Sequence, residues 1–151
     1  MAQKSFETKQ YTIGIAAPAA TVWATMLDDV TYREWTGAFH EGSRYEGSWD
    51  LGSDIKFTGP DGGGLVAKVV ANRPNEFVSL EYVGFLDDGE LDTSSELSRE
   101  FAGAHEDYSF APTDSGTTLT VDLEISAEML AEMDEMWPAA LLKLKEIAER
   151  Q

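Results

Sequence analysis

Cysteine is absent from this 151-residue chain, so disulfide bridges and thiolate metal sites are excluded. Basic residues are scarce: 11 Lys and Arg stand against 28 Asp and Glu, for a net charge of −17. A surface that grips nucleic acid or an anionic membrane needs clustered Lys and Arg. The few present here are spread along the chain, so no nucleic-acid partner is expected. The carboxylate excess reads as a solvated face that keeps the chain soluble, with a basic protein partner as its other use. No apolar run approaches the roughly 20 residues of a membrane span. The opening stretch from Met1 to Lys9 lacks the apolar core of a signal peptide. A soluble, cytoplasmic protein without a membrane span is expected.

Histidine is also scarce. His40 and His105 are each followed by Glu, without the His-Glu-x-x-His spacing of a zinc site. Neither a metal nor a cofactor is expected. Gly62-Gly63-Gly64 is a hairpin turn and not a phosphate loop, which needs a helix after it, whereas a strand follows here. Ser94, Ser95 and Ser98 lack the Gly-x-Ser-x-Gly context of a nucleophile elbow.

What the chain does have is a long apolar stripe near its end. Leu130, Met133, Trp137, Leu141, Leu144 and Ala148 recur at helical spacing. Pro138 inside that run should kink the helix or begin a second segment, and Ser126 stands where its N-cap belongs. Nearly everything before it reads as strand. Tyr11, Ile13 and Ile15 alternate with polar residues. Ala17-Pro18 opens a short helix with Val22, Trp23, Met26 and Leu27 on one face, and Asp28-Asp29 ends it and caps a second, Val30 to Trp35. A meander of about six strands follows, with short turns that imply antiparallel neighbours. Residues 84 to 105 break the rhythm and read as a long acidic loop, with or without a short irregular helix. The expected architecture is α+β over one domain, 1–151: a curved antiparallel β-sheet wrapped around a long C-terminal α-helix, with two short helices after the first strand.

That order, together with four local motifs, resembles the helix-grip fold of START-like lipid-transfer domains, polyketide cyclases and the birch pollen allergen. Within it the chain resembles the branch of activators of the heat-shock chaperone ATPase. The motifs are Ala17-Pro18-Ala19-Ala20-Thr21-Val22-Trp23, Gly47-Ser48-Trp49-Asp50-Leu51-Gly52-Ser53, Asn72-Arg73-Pro74-Asn75-Glu76, and the C-terminal third from Gly116-Thr117-Thr118-Leu119 through Trp137-Pro138 to Leu144-Lys145. The likeness spans nearly the whole chain. It implies a fold that commonly leaves a cavity between helix and sheet, and it says little about chemistry.

Apolar walls with a few polar tips are what a small-molecule pocket needs. Phe57, Leu80, Tyr82, Tyr108 and Phe110 should face the final helix from the sheet, and Met133, Trp137 and Leu141 should answer from the helix. Trp35, Phe39 and Trp49 should frame a mouth. Met129, Met133 and Met136 add an adaptable wall. The leading expectation is therefore a non-catalytic protein that binds a small apolar or amphipathic molecule between helix and sheet, with Leu141→Trp blocking uptake. Two rivals stand beside it. One is a chaperone-regulator-like module that meets a protein through its acidic surface. The other is a cyclase- or hydrolase-like enzyme drawing on Tyr82, Glu81 or His105.

Overall fold

The computed structural model of the protein describes residues 7–39 and 41–150. The alternating stretch near the start forms strand β1, Glu7–Ile15, with Tyr11 and Ile15 buried. Two helices follow: α1, Ala19–Leu27, and α2, Asp29–Thr36. Pro18 is the N-cap of α1, one residue ahead of the first turn, where its carbonyl accepts from Thr21 and Val22. Asp28 separates the two helices and caps the second by backbone position, without a side-chain hydrogen bond.

The meander then runs through β2 Arg44–Gly47, β3 Asp54–Thr58, β4 Gly64–Arg73 and β5 Phe77–Asp87. It continues through β6 Glu90–Asp92, helix α3 Glu96–Phe101, β7 His105–Thr113 and β8 Gly116–Ile125. The strands form one sheet in the order β1-β8-β7-β5-β4-β3-β2, with β6 paired to β5 off that path. Every pairing is antiparallel. The last element, α4, runs unbroken over Ala127–Glu149 and lies on the sheet, giving the helix-grip arrangement that the motifs imply.

Two expectations change. The break in rhythm at residue 84 is not the end of a strand. In the β4–β5 ladder Val66 pairs with Gly84 and Ala67 with Tyr82, so Val83 is an extra residue and the alternation shifts there. A bulge of this kind lets Tyr82 and Phe85, three apart, both turn toward Phe101 on one face. A Cβ at Gly84 would stand 2.4 Å from the carbonyl oxygen of Asp92, so β6 can approach this closely only over a glycine. The turn itself is confined to Asp88 and Gly89, both at positive φ, as a two-residue hairpin loop requires.

The expected loop also carries α3. Asp92 accepts from the backbone amides of Ser94 and Ser95, and Ser95 Oγ accepts from Ser98 N at 3.2 Å, capping the helix. The hydrogen bonds from Ser95 and Ser94 hold the Asp92 carboxyl down to about 2. The second change concerns Pro138: α4 continues through it and no second helix begins there.

Candidate functional site

The helix and the sheet do not fill the space between them. At the end nearest β2, β3 and the start of α4 lies a cavity of about 610 Å³, within the few hundred to about 1,000 Å³ typical of small-molecule sites. Three layers wall it. From α2 and the turn after it come Tyr32, Trp35 and Phe39; from the sheet come Phe57, Leu65, Tyr82, Phe85, Glu106 and Tyr108; from α4 come Met129, Met133, Met136 and Trp137. Phe101 of α3 closes one side, stacked on Tyr82 at 5.3 Å and edge-on to Phe85 at 4.9 Å.

Trp137 ties the layers together. Its ring lies 5.0 Å from Phe39, 6.1 Å from Trp35, 6.2 Å from Tyr108 and 6.2 Å from Tyr11. Trp35 is fixed by its indole N–H, which donates to the Met26 carbonyl at 3.0 Å, as a buried indole requires. One turn before Trp137, Asp134 accepts from the Tyr11 hydroxyl at 2.7 Å and pairs with Lys9 at 3.3 Å, latching α4 to β1. Those bonds, the Tyr11 one foremost, hold the Asp134 carboxyl below its ordinary range.

The polar centre of the cavity is Glu106. Tyr82 donates its hydroxyl to Glu106 Oε1 at 2.5 Å, and Tyr108 donates to Oε2. Burial raises the carboxyl above its ordinary value, against the pull of the two tyrosine bonds, and the neighbouring Asp107 adds to the rise. Burial and the charge of Glu106 in turn push Tyr32, Tyr82 and Tyr108 well above the usual phenol range, so all three keep their protons. The result is a carboxyl and three phenols in an aromatic and methionine-lined space.

Of the residues singled out in the sequence, the structure brings Trp35, Phe39, Phe57, Tyr82, Tyr108, Met133 and Trp137 together on the cavity wall. Four others lie outside its lining. Leu80, Phe110 and Leu141 are buried in filled core, with Phe110 edge-on to Trp23 at 5.2 Å. Trp49 packs the hairpin, its ring 5.6 Å from Tyr45 and 5.8 Å from Phe57. Leu141→Trp would therefore overpack the core, whereas Met133 is a position of α4 that faces the cavity.

Glu81 and His105 are also displaced from the role offered to them. They face each other across the β5–β7 ladder, out of phase with Tyr82 and Glu106, and His105 Nδ1 meets Glu124 Oε1 at 2.7 Å instead. His40 lies outside the described residues. Reading the sequence missed Glu106, although it stands two residues before Tyr108 and four before Phe110, in phase with both.

Among the described residues no helix is long and apolar enough to cross a membrane. No curated protein matches the chain. Solved structures do. Protein MLL2253 from Mesorhizobium loti superposes with a TM-score of 0.77 at 17% identity, covering 96% of this chain and 98% of that one. The Aha1 dimer from Colwellia psychrerythraea gives 0.73 at 20% identity over 95% and 96%. DynU16, a putative protein in the dynemicin biosynthetic locus, gives 0.72 at 16% identity, with 94% of this chain matching 47% of that one. These likenesses establish the fold. The family model described as polyketide cyclase / dehydrase and lipid transport matches residues 8–146. That span, from β1 to the last turns of α4, contains the whole cavity wall, and the chain belongs to this family.

Proposed function

We propose that this protein binds a small hydrophobic or amphipathic molecule in the cavity between α4 and the sheet, and holds it without transforming it. The observation that carries this reading is the cavity itself: about 610 Å³ of space, walled by aromatic and methionine side chains around one carboxyl. An apolar, concave space of this size with a few polar groups is what a small-molecule site needs. The methionines suit an occupant of irregular shape, because an unbranched thioether adapts to it. The family description, which includes lipid transport, supports the same reading.

Holding rather than turnover is favoured by the polar set. Among the described lining residues there is no histidine, lysine or cysteine, and both oxygens of Glu106 already accept a tyrosine hydroxyl. The test is the intact mass of freshly purified protein under native and then denaturing conditions. An additional mass that is present natively and lost on denaturation is expected. A chain that stays at its bare mass and also takes up no apolar probe would overturn the reading.

A protein-partner role is the second reading, supported by the net charge of −17. It requires an association that weakens steeply as salt rises past about 0.1 M, where the screening length falls to roughly 10 Å.

A further inference from the structure

The cavity wall carries charge of almost one sign. Glu106 sits inside, between Tyr82 and Tyr108, while Glu41, Asp61 and Glu132 are exposed along the lining. Against these carboxylates Arg44 is the one Lys or Arg among the described lining residues. We propose that the ligand of this cavity is a hydrophobic amine: an apolar body whose ammonium group rests against Glu106. This rests on the ligand-binding reading above and narrows it to a chemical class.

Three observations converge on a cation. A carboxylate offers about four lone-pair sites, and the two tyrosines occupy one on each oxygen of Glu106. Acceptor sites therefore remain for a donor from the space that Glu106 lines. An anionic headgroup would set a second negative charge beside the first in a poorly solvated place, and repulsion there is strong. A neutral hydroxyl can donate to Glu106 but brings no charge to offset its burial. An ammonium brings both the donor and the charge.

Aromatic rings supply the second observation. Tyr32, Trp35, Tyr82, Tyr108 and Trp137 all line the cavity. Such rings attract ammonium groups through their π faces, and more strongly where water is excluded. The third is the charge of the whole chain, −17, which raises the local concentration of any cation at the mouth. An inorganic ion is a poor fit. Among the described residues no group of three or more His, Cys, Asp or Glu could hold a metal, and the wall around Glu106 is apolar and aromatic. An organic cation uses both the carboxyl and the wall.

The experiment compares three probes of one shape by calorimetry at neutral pH: naphthylmethylamine, naphthylmethanol and naphthoic acid. The amine is expected to bind about tenfold or more tightly than the alcohol, the margin of a hydrogen bond to a charged group, and the acid to bind weakest. Glu106→Gln is expected to erase the advantage of the amine over the alcohol, because the neutral amide still offers an oxygen to either probe but no charge to the ammonium. Should the variant fail to fold, the ranking of the three probes on the wild-type protein still decides the matter. An alcohol that binds as well as the amine overturns the amine assignment and leaves the cavity reading standing. An amine advantage that survives in folded Glu106→Gln overturns the placement at Glu106. Failure of all three probes to bind overturns the cavity reading with it.

Discussion

The two halves of α4 carry the same apolar stripe and meet opposite fates. In the second half Ala140, Leu141, Leu144, Ile147 and Ala148 are each at most 3% exposed. They belong to a core in which Trp23 and Phe110 are also packed. In the first half Met129, Met133 and Met136 keep part of their surface and look onto a cavity. Residue type differs with the setting: branched aliphatics and alanine fill the closed half, unbranched methionines line the open one. Helical spacing says that a face is apolar. What lies opposite it decides whether that face is core or container.

Substitutions can break this comparison. The largest effect is expected from Leu144→Ala, which removes a fully buried side chain from the filled half. It should cost about 2–5 kcal/mol in chemical denaturation, through lost transfer energy and a residual void, while the folded fraction binds probes normally. A loss well under that range would mean that the closed half is loosely packed.

Met133→Trp comes next and works the other way. The cavity should accept the larger ring, so stability should change by less than the about 1–3 kcal/mol that overpacking costs in a dense core. Probe binding measured by calorimetry should nonetheless be lost. A variant that unfolds, or that still binds, would put the open half in the wrong place.

The smallest effect sharpens the comparison at Glu106. Its carboxyl is raised by burial, so the folded chain takes up that proton at a higher pH than the unfolded chain does. The cost of burying the charge is absent below the ordinary glutamate value of about 4.3, where both states are protonated. It is complete above the raised folded value, where neither is. Relative to Glu106→Gln, the wild-type protein should therefore lose stability as pH climbs through that window. Parallel unfolding curves for the two proteins across the acid range would mean that Glu106 is well solvated.

Much of this was legible in the sequence, and the parts that were not have specific causes. β1, β8 and α4 follow clean periods, so their presence and their apolar faces could be read directly, whereas the pairing of β1 with β8 across the length of the chain could not. β5 could be read only as far as Tyr82, because the bulge at Val83 shifts the phase and makes Phe85 look like part of a turn. Leu80, Phe110 and Leu141 looked like cavity wall because their pattern is that of Phe57 or Met133. Telling a void from a filled core requires knowing which side chains meet across the fold, as Trp23 meets Phe110 from 87 residues away. Glu106 was overlooked for a chemical reason: a glutamate in a strand is usually assigned to solvent. Its phase with Tyr108 was the available signal, and the same phase test would have set Glu81 and His105 aside.

Pro138 lies where the two halves of α4 meet. It has no N–H, so the helical hydrogen bond that would end on the carbonyl of Asp134 is not made. The ladder therefore lacks one rung between the densely packed turns and the turns that roof the cavity, and it is the roofing turns that Asp134 latches to β1. For a bound cargo this becomes a matter of time. If a molecule is held there as proposed, its release would require the roofing turns to lift and the Asp134 latch to break, a segmental motion of the kind that runs in microseconds to milliseconds, and not the opening of the whole fold. On that reading the residence time of a guest would be set by the latch and the missing rung, and not by the lifetime of the fold.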